Sequence, residues 1–180
     1  HKQLRQPQGY CEFGLYDIKW GYKMQRHYSI SLIRHGLAAI LVSLVTGFVL
    51  IFSMLGGASL SPIPILIEFT VPGSTAGWRT VHIGMMMNGT MAVALGCAMR
   101  AVYLNDTQGF RVFMGTIIAV WANFMFYLFG MFAPNRGLTL ESNVLGEASL
   151  AGALAFFPAL IGAVTLFYAV ISMLRAEPSD

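Results

Sequence analysis

The stretch from Ile30 to Leu55, ISLIRHGLAAILVSLVTGFVLIFSML, decides the fold. Beyond Arg34 and His35 it carries no charged residue up to Leu55. Twenty such residues in a helix rise about 30 Å, the thickness of the hydrocarbon core of a bilayer. Three further stretches share this apolar character, at about 81–104, 112–132 and 148–174. Breaks at Gly56-Gly57, Pro62 and Pro64, Pro72-Gly73, Asn105-Asp106 and Pro134-Asn135 separate them. The pattern predicts an all-α integral membrane protein, a four-transmembrane-helix bundle.

Composition agrees. Of 180 residues, 56% are apolar and only 11% charged, where a soluble domain carries about 25% charge. The mean hydropathy is +0.64. So little charge does not suit a water-facing globule, a disordered chain or a nucleic-acid binder. The net charge of +3 is explained by where the basic residues fall. Lys2, Arg5, Lys19, Lys23, Arg26, Arg34, Arg100, Arg111 and Arg175 are expected on one side, and only Arg79 and Arg136 on the other. Basic residues collect in cytoplasmic segments, so both termini are expected to be cytoplasmic and the positive charge to be a topology signal.

Residues 1–29 read as a cytoplasmic or interfacial N-terminal extension, rich in boundary-seeking aromatics (Tyr10, Phe13, Tyr16, Trp20, Tyr22), and 30–180 as the transmembrane domain. A basic start without a short apolar core and cleavage site is not the pattern of a signal peptide. The outer loop, 56–80, contains the apolar but proline-broken run Pro62–Phe69; it is expected to lie on the interface or fold back as a lid. Cys11 and Cys97 stand far apart, which predicts neither a disulfide framework nor a CxxC metal site. On the fourth helix Ala148 and Gly152, then Ala151, Ala155, Ala159 and Ala163, form small-residue stripes that permit close helix packing, within the bundle or between subunits.

Polar groups in hydrocarbon are costly and mark functional sites. The interior offers His82 and Asn88 on the second span, and Asn123 and Tyr127 on the third. All four are expected in the outer half of the membrane. Asn123 and Tyr127 share a helix face; His82 and Asn88 are rotated apart by about 120°, so only a large flat ligand could touch both. Each alone can be a plain interhelical hydrogen bond. His82 can equally hold a haem iron. His35 is expected near the inner end of the first helix, most of a membrane thickness away, so a haem on His82 would be five-coordinate. Met85, Met86, Met87 and Met91 surround this position with soft apolar groups, though Met can also ligate iron.

Several segments taken together resemble the styrene oxide isomerase family. They are Ile67–Ser74 (IEFTVPGS), Gly77-Trp78, His82 with Asn88-Gly89, Trp121 with Asn123, Phe126–Phe129 (FYLF) and Pro134–Thr139 (PNRGLT), with His35-Gly36 on the first span. The resemblance covers about 30–175. It implies a homotrimer of four-helix subunits in the bacterial inner (cytoplasmic) membrane, with haem b held at subunit interfaces. His82 matches the axial ligand, and Asn88 and Tyr127 match polar groups that contact substrate. Trp121, Asn123, Phe124 and Met85 are weaker candidates for the substrate pocket. Two departures stand out: Ala119 replaces an acidic residue and Ala122 a small polar one.

The implied reaction converts an aryl epoxide such as styrene oxide into an aryl acetaldehyde. A ferric, five-coordinate haem would act as Lewis acid in epoxide opening, followed by a 1,2-hydride shift, the Meinwald rearrangement. Two alternatives remain open: a haem-bearing electron-transfer subunit, which needs a second axial ligand, and a non-catalytic membrane scaffold.

Overall fold

The computed structural model describes residues 9–179, with side chains from Met24 onward. The aromatic residues assigned to the N-terminal extension, and Cys11, therefore lie outside the described side chains. Helix α1 runs Gly9–Leu55, α2 Thr75–Ala98, α3 Asp106–Gly130 and α4 Leu150–Leu174. All four include a segment long and apolar enough to cross a membrane, Met24–Leu55 in the case of α1. No helix breaker stands near Ile30, so α1 continues toward the N-terminus without interruption.

The helix starts are set by capping side chains, which satisfy backbone N–H groups that have no partner within the helix. Ser74 accepts from the Gly77 N–H at 3.0 Å and starts α2 six residues before the expected Val81. The polar run Trp78-Arg79-Thr80 resembles a membrane boundary, but it is helical. His82 consequently lies eight residues, about 12 Å, beyond the cap. Asn105 and Gln108 form a reciprocal capping box on α3, and Ser149 caps α4.

Short antiparallel ribbons close both ends. Strands β1 (Gly57–Ser59) and β2 (Leu66–Glu68) make an exposed hairpin in the α1–α2 loop, with Ala58 opposite Ile67. At the other end β3 (Val102–Tyr103) pairs with β4 (Glu177–Pro178).

Helix α2 is the most enclosed of the four spans. It lies against α1 on glycine: a Cβ at Gly89 would stand 2.6 Å from the Gly36 carbonyl oxygen, and one at Gly36 2.7 Å from that of Gly89. Neither position tolerates a side chain, and the two backbones touch. Helix α4 packs on α3 through Gly162, opposite Ala119 and Ala122, and on the α3–α4 loop through Gly152 and Ala155. These small residues thus serve packing within the chain, whereas Ala163 is exposed.

Candidate active site

His82 projects from α2 toward α1. Its Nδ1 lies 2.7 Å from the Ser43 carbonyl oxygen. A carbonyl only accepts, so Nδ1 carries the proton and Nε2 the lone pair. The Ser43 hydroxyl donates to the His82 carbonyl at 2.6 Å and lies 3.2 Å from Nδ1. Ser43 is fully buried, and Gly47, one turn on, leaves the imidazole room: a Cβ there would be 3.0 Å from the ring. The half-buried His82 is thereby held at Nδ1 with Nε2 open, the usual arrangement of a metal-bound histidine whose other nitrogen is fixed by a carbonyl.

His35 has the opposite tautomer. The Trp121 indole can only donate, and its Nε1 points at His35 Nδ1 at 3.2 Å, so that nitrogen is the acceptor and Nε2 bears the proton. The expected depth of His35 needs correction. Because α1 begins well before Ile30, His35 is level with the Gly36–Gly89 contact rather than near the inner end. From His35 to Ser43, the residue that meets His82, is eight residues, or about 12 Å along the helix, not most of a membrane.

Asn88, Asn123 and Tyr127 form one network between α2 and α3. Asn123 Nδ2 donates to Asn88 Oδ1 at 2.9 Å. Asn88 Nδ2 donates to the Gly84 carbonyl at 2.8 Å and to the Tyr127 hydroxyl oxygen at 3.2 Å. Both amide protons of Asn88, which is only 6% exposed, are therefore committed. Tyr127 accepts from Asn88, which leaves its own hydroxyl proton free to donate. Its ring lies flat against Gly84, where any Cβ would strike it. Tyr127 and Phe126 border a cavity of about 130 Å³ that also reaches Gly77, Met131 and Arg136.

The weaker candidates separate. Trp121 meets both His35 and Phe124 edge-on, at centroid distances of 6.3 Å, while Met85 is fully buried in the apolar core. Ala119 is fully buried opposite Gly162, whose Cβ would stand 3.4 Å from its Cα. It thus belongs to the α3–α4 contact, whereas the network bonds across α2 and α3. Among the described residues no group of three His, Cys, Asp or Glu gathers to hold a bare metal ion.

The styrene oxide isomerase family model matches residues 28–177. The chain belongs to the styrene oxide isomerase family. A curated styrene-oxide isomerase from Pseudomonas fluorescens is 37% identical over 127 residues, covering 71% of this chain and 75% of the relative. The chain also uses one of the motifs that carry the resemblance structurally. Asn135 of PNRGLT is fully buried; it donates to the carbonyls of Thr139 (2.9 Å) and Glu141 (3.1 Å) and accepts from the Gly137 N–H (3.1 Å). The sequence alone did not reveal Ser43 or Gly84, because each acts through a partner distant in sequence or through its backbone, and it marked Asn135 only as part of a motif, without its role in the loop.

Proposed function

We propose that the chain isomerises aryl epoxides of the styrene oxide type to aryl acetaldehydes, with haem b as cofactor, which His82 would hold through Nε2. The observation that carries this reading is the contrast between the two histidines in the spans: His82 presents a lone pair on an open nitrogen, while His35 has its acceptor nitrogen occupied by Trp121. The donor set fits a haem, which brings four ring nitrogens of its own and asks the protein for one imidazole. When bound, it supplies a ferric Lewis acid with one free position and needs no net electron transfer.

The protein's own groups do the rest. The free Tyr127 proton donates to the epoxide oxygen as the benzylic C–O bond lengthens. Asn88 donates to Tyr127 and makes that hydroxyl a better donor, since hydrogen bonds in a chain polarise one another; Asn123 holds Asn88 in this orientation. Positive charge develops on the aryl-bearing carbon, and the neighbouring carbon's hydrogen moves to it with its electron pair. The oxygen lone pair closes the carbonyl, so no atom is gained or lost. The apolar side chains Phe126, Met131 and Leu138 around the Tyr127 cavity help to keep out water, which would trap the cation as a diol.

Within the chain His82 bonds to α1 and Asn88–Tyr127 to α3. A homotrimer with the haem at subunit interfaces brings the His82 of one copy to the Tyr127 of the next, with both termini on the cytoplasmic side of a bacterial inner membrane.

Styrene oxide dideuterated on its terminal carbon tests the reaction: the phenylacetaldehyde should carry one deuterium at the benzylic position, and loss of that label to solvent would refute the hydride shift. The His82→Ala protein should be purified without the haem absorbance band while keeping its helical circular dichroism. A retained band would reject His82 as ligand, and a six-coordinate low-spin spectrum in the native protein would favour electron transfer.

A further inference from the structure

A second cavity, of about 150 Å³, lies at the opposite end of the bundle from the α1–α2 hairpin, about 25 Å of helix from His82. Arg26, Arg100, Met99, Val102, Tyr103 and Ser179 line it, with Gln25 at its base. Two arginines line it, and among the described residues no carboxylate does.

The C-terminal end of a helix normally repels anions, because its free carbonyls carry partial negative charge. Here four successive carbonyls are covered by donors. The Gln25 side-chain amide donates to those of Met99 and Val102, and Ser179 donates through its hydroxyl to Arg100 (3.3 Å) and through its N–H to Ala101 (3.1 Å). These four carbonyls belong to the cap residue and the turn that follows α2, and in its last turn the Ser29 hydroxyl covers the Gly96 carbonyl, so donors face both beside the arginines.

Arg100 is held in place. Its Nε donates to the Ser29 hydroxyl at 2.9 Å, and the fully buried Ser29 donates to the Gly96 carbonyl at 2.7 Å. Of the five N–H donors of a guanidinium, this bond uses one and leaves the terminal fork for a ligand. Arg26 is exposed beside it. Below the charges Met99 and Val102 are apolar, and Tyr103 is 65% exposed at the rim.

We propose that this cavity is a phosphate-ester site at the bilayer boundary, filled by the headgroup of an anionic phospholipid. The paired guanidinium groups suit the phosphate, and the apolar floor suits the start of an acyl chain. A basic pocket between helices at the membrane surface is where such headgroups dock. Because Ser179 forms part of the wall, the ligand also fastens the C-terminal strand to the α2–α3 turn. Free phosphate shares the chemistry and is the alternative source.

The test uses the full-length protein in detergent, with the thermal unfolding midpoint and native mass spectrometry as readouts. Phosphatidylglycerol should bind and raise the midpoint, and phosphatidylcholine should not. Arg26→Gln removes a charge without touching Ser29 or Gln25 and should weaken phosphatidylglycerol binding about tenfold. Arg100→Gln should do the same, with haem content unchanged in both variants. Equal binding of phosphatidylcholine, or undiminished phosphatidylglycerol binding by both variants, would overturn the proposal. A midpoint raised by millimolar inorganic phosphate alone would keep the phosphate chemistry and name the free anion as its source.

Discussion

At the scale of single residues, hydrogen-bond direction distinguishes groups that composition cannot. His35 and His82 are the same side chain in similar helices, yet a carbonyl acceptor selects the tautomer with the proton on Nδ1 of His82, and an indole N–H donor selects the one with the lone pair on Nδ1 of His35. Asn88 and Asn123 separate in the same way: Asn88 spends both amide protons on Gly84 and Tyr127, and Asn123 orients it. Removing the Tyr127 hydroxyl should therefore be the most damaging change in the network. Tyr127→Phe is expected to lower kcat about 100-fold or more, as loss of one positioned donor to a developing oxyanion does. Asn123→Ala, acting only through Asn88, should cost about tenfold in kcat with KM little changed. Steady-state assays on matched haem-loaded preparations check both; an Asn123→Ala effect equal to that of Tyr127→Phe would mean that Asn123 touches the substrate itself. The four residue types and their helices were legible in the sequence, because polar groups stand out in apolar spans. Their donor and acceptor roles were not, since these depend on which partner each meets.

At the scale of elements, glycine and caps decide where the helices sit. Apolar length shows that four spans exist but places their ends poorly, because the caps Ser74 and Asn105 start α2 and α3 before the apolar runs begin. The Gly36–Gly89 contact brings α1 close enough for Ser43 to hold His82. Gly89→Val should push α1 away and reduce haem retention severalfold, although Gly89 is seven residues from His82; absorbance per purified chain measures this. The PNRGLT loop shows the complementary case. Asn135→Ala would leave the buried Gly137 N–H and the Thr139 carbonyl without their side-chain partner, while the Glu141 carbonyl keeps the Thr139 hydroxyl, at about 2 kcal/mol. Thermal unfolding should show the loss, and Gly137, at φ 66°, marks the same loop as rigid.

At the scale of the whole molecule, the proposed homotrimer with haem at its interfaces predicts a site shared between subunits. Cells that co-express His82→Ala and Tyr127→Phe chains should regain up to about a quarter of wild-type activity, since random mixing pairs an intact His82 with a neighbour's intact Tyr127 at that frequency in a cyclic assembly. Each variant alone should be nearly inactive. Absence of recovery in demonstrably mixed oligomers would place both halves in one subunit.

The amino-acid sequence by itself determined the four spans, their family and the identity of the polar residues within them. These follow from short-range facts: apolar length, charge placement and motifs read in order. Only the tertiary structure decided that His82 is anchored at Nδ1, that His35 is engaged by Trp121, that Ala119 belongs to the α3–α4 contact, and that four carbonyls near Arg100 are covered. Each of these depends on a partner from another part of the chain, and helix packing alone sets which residues meet.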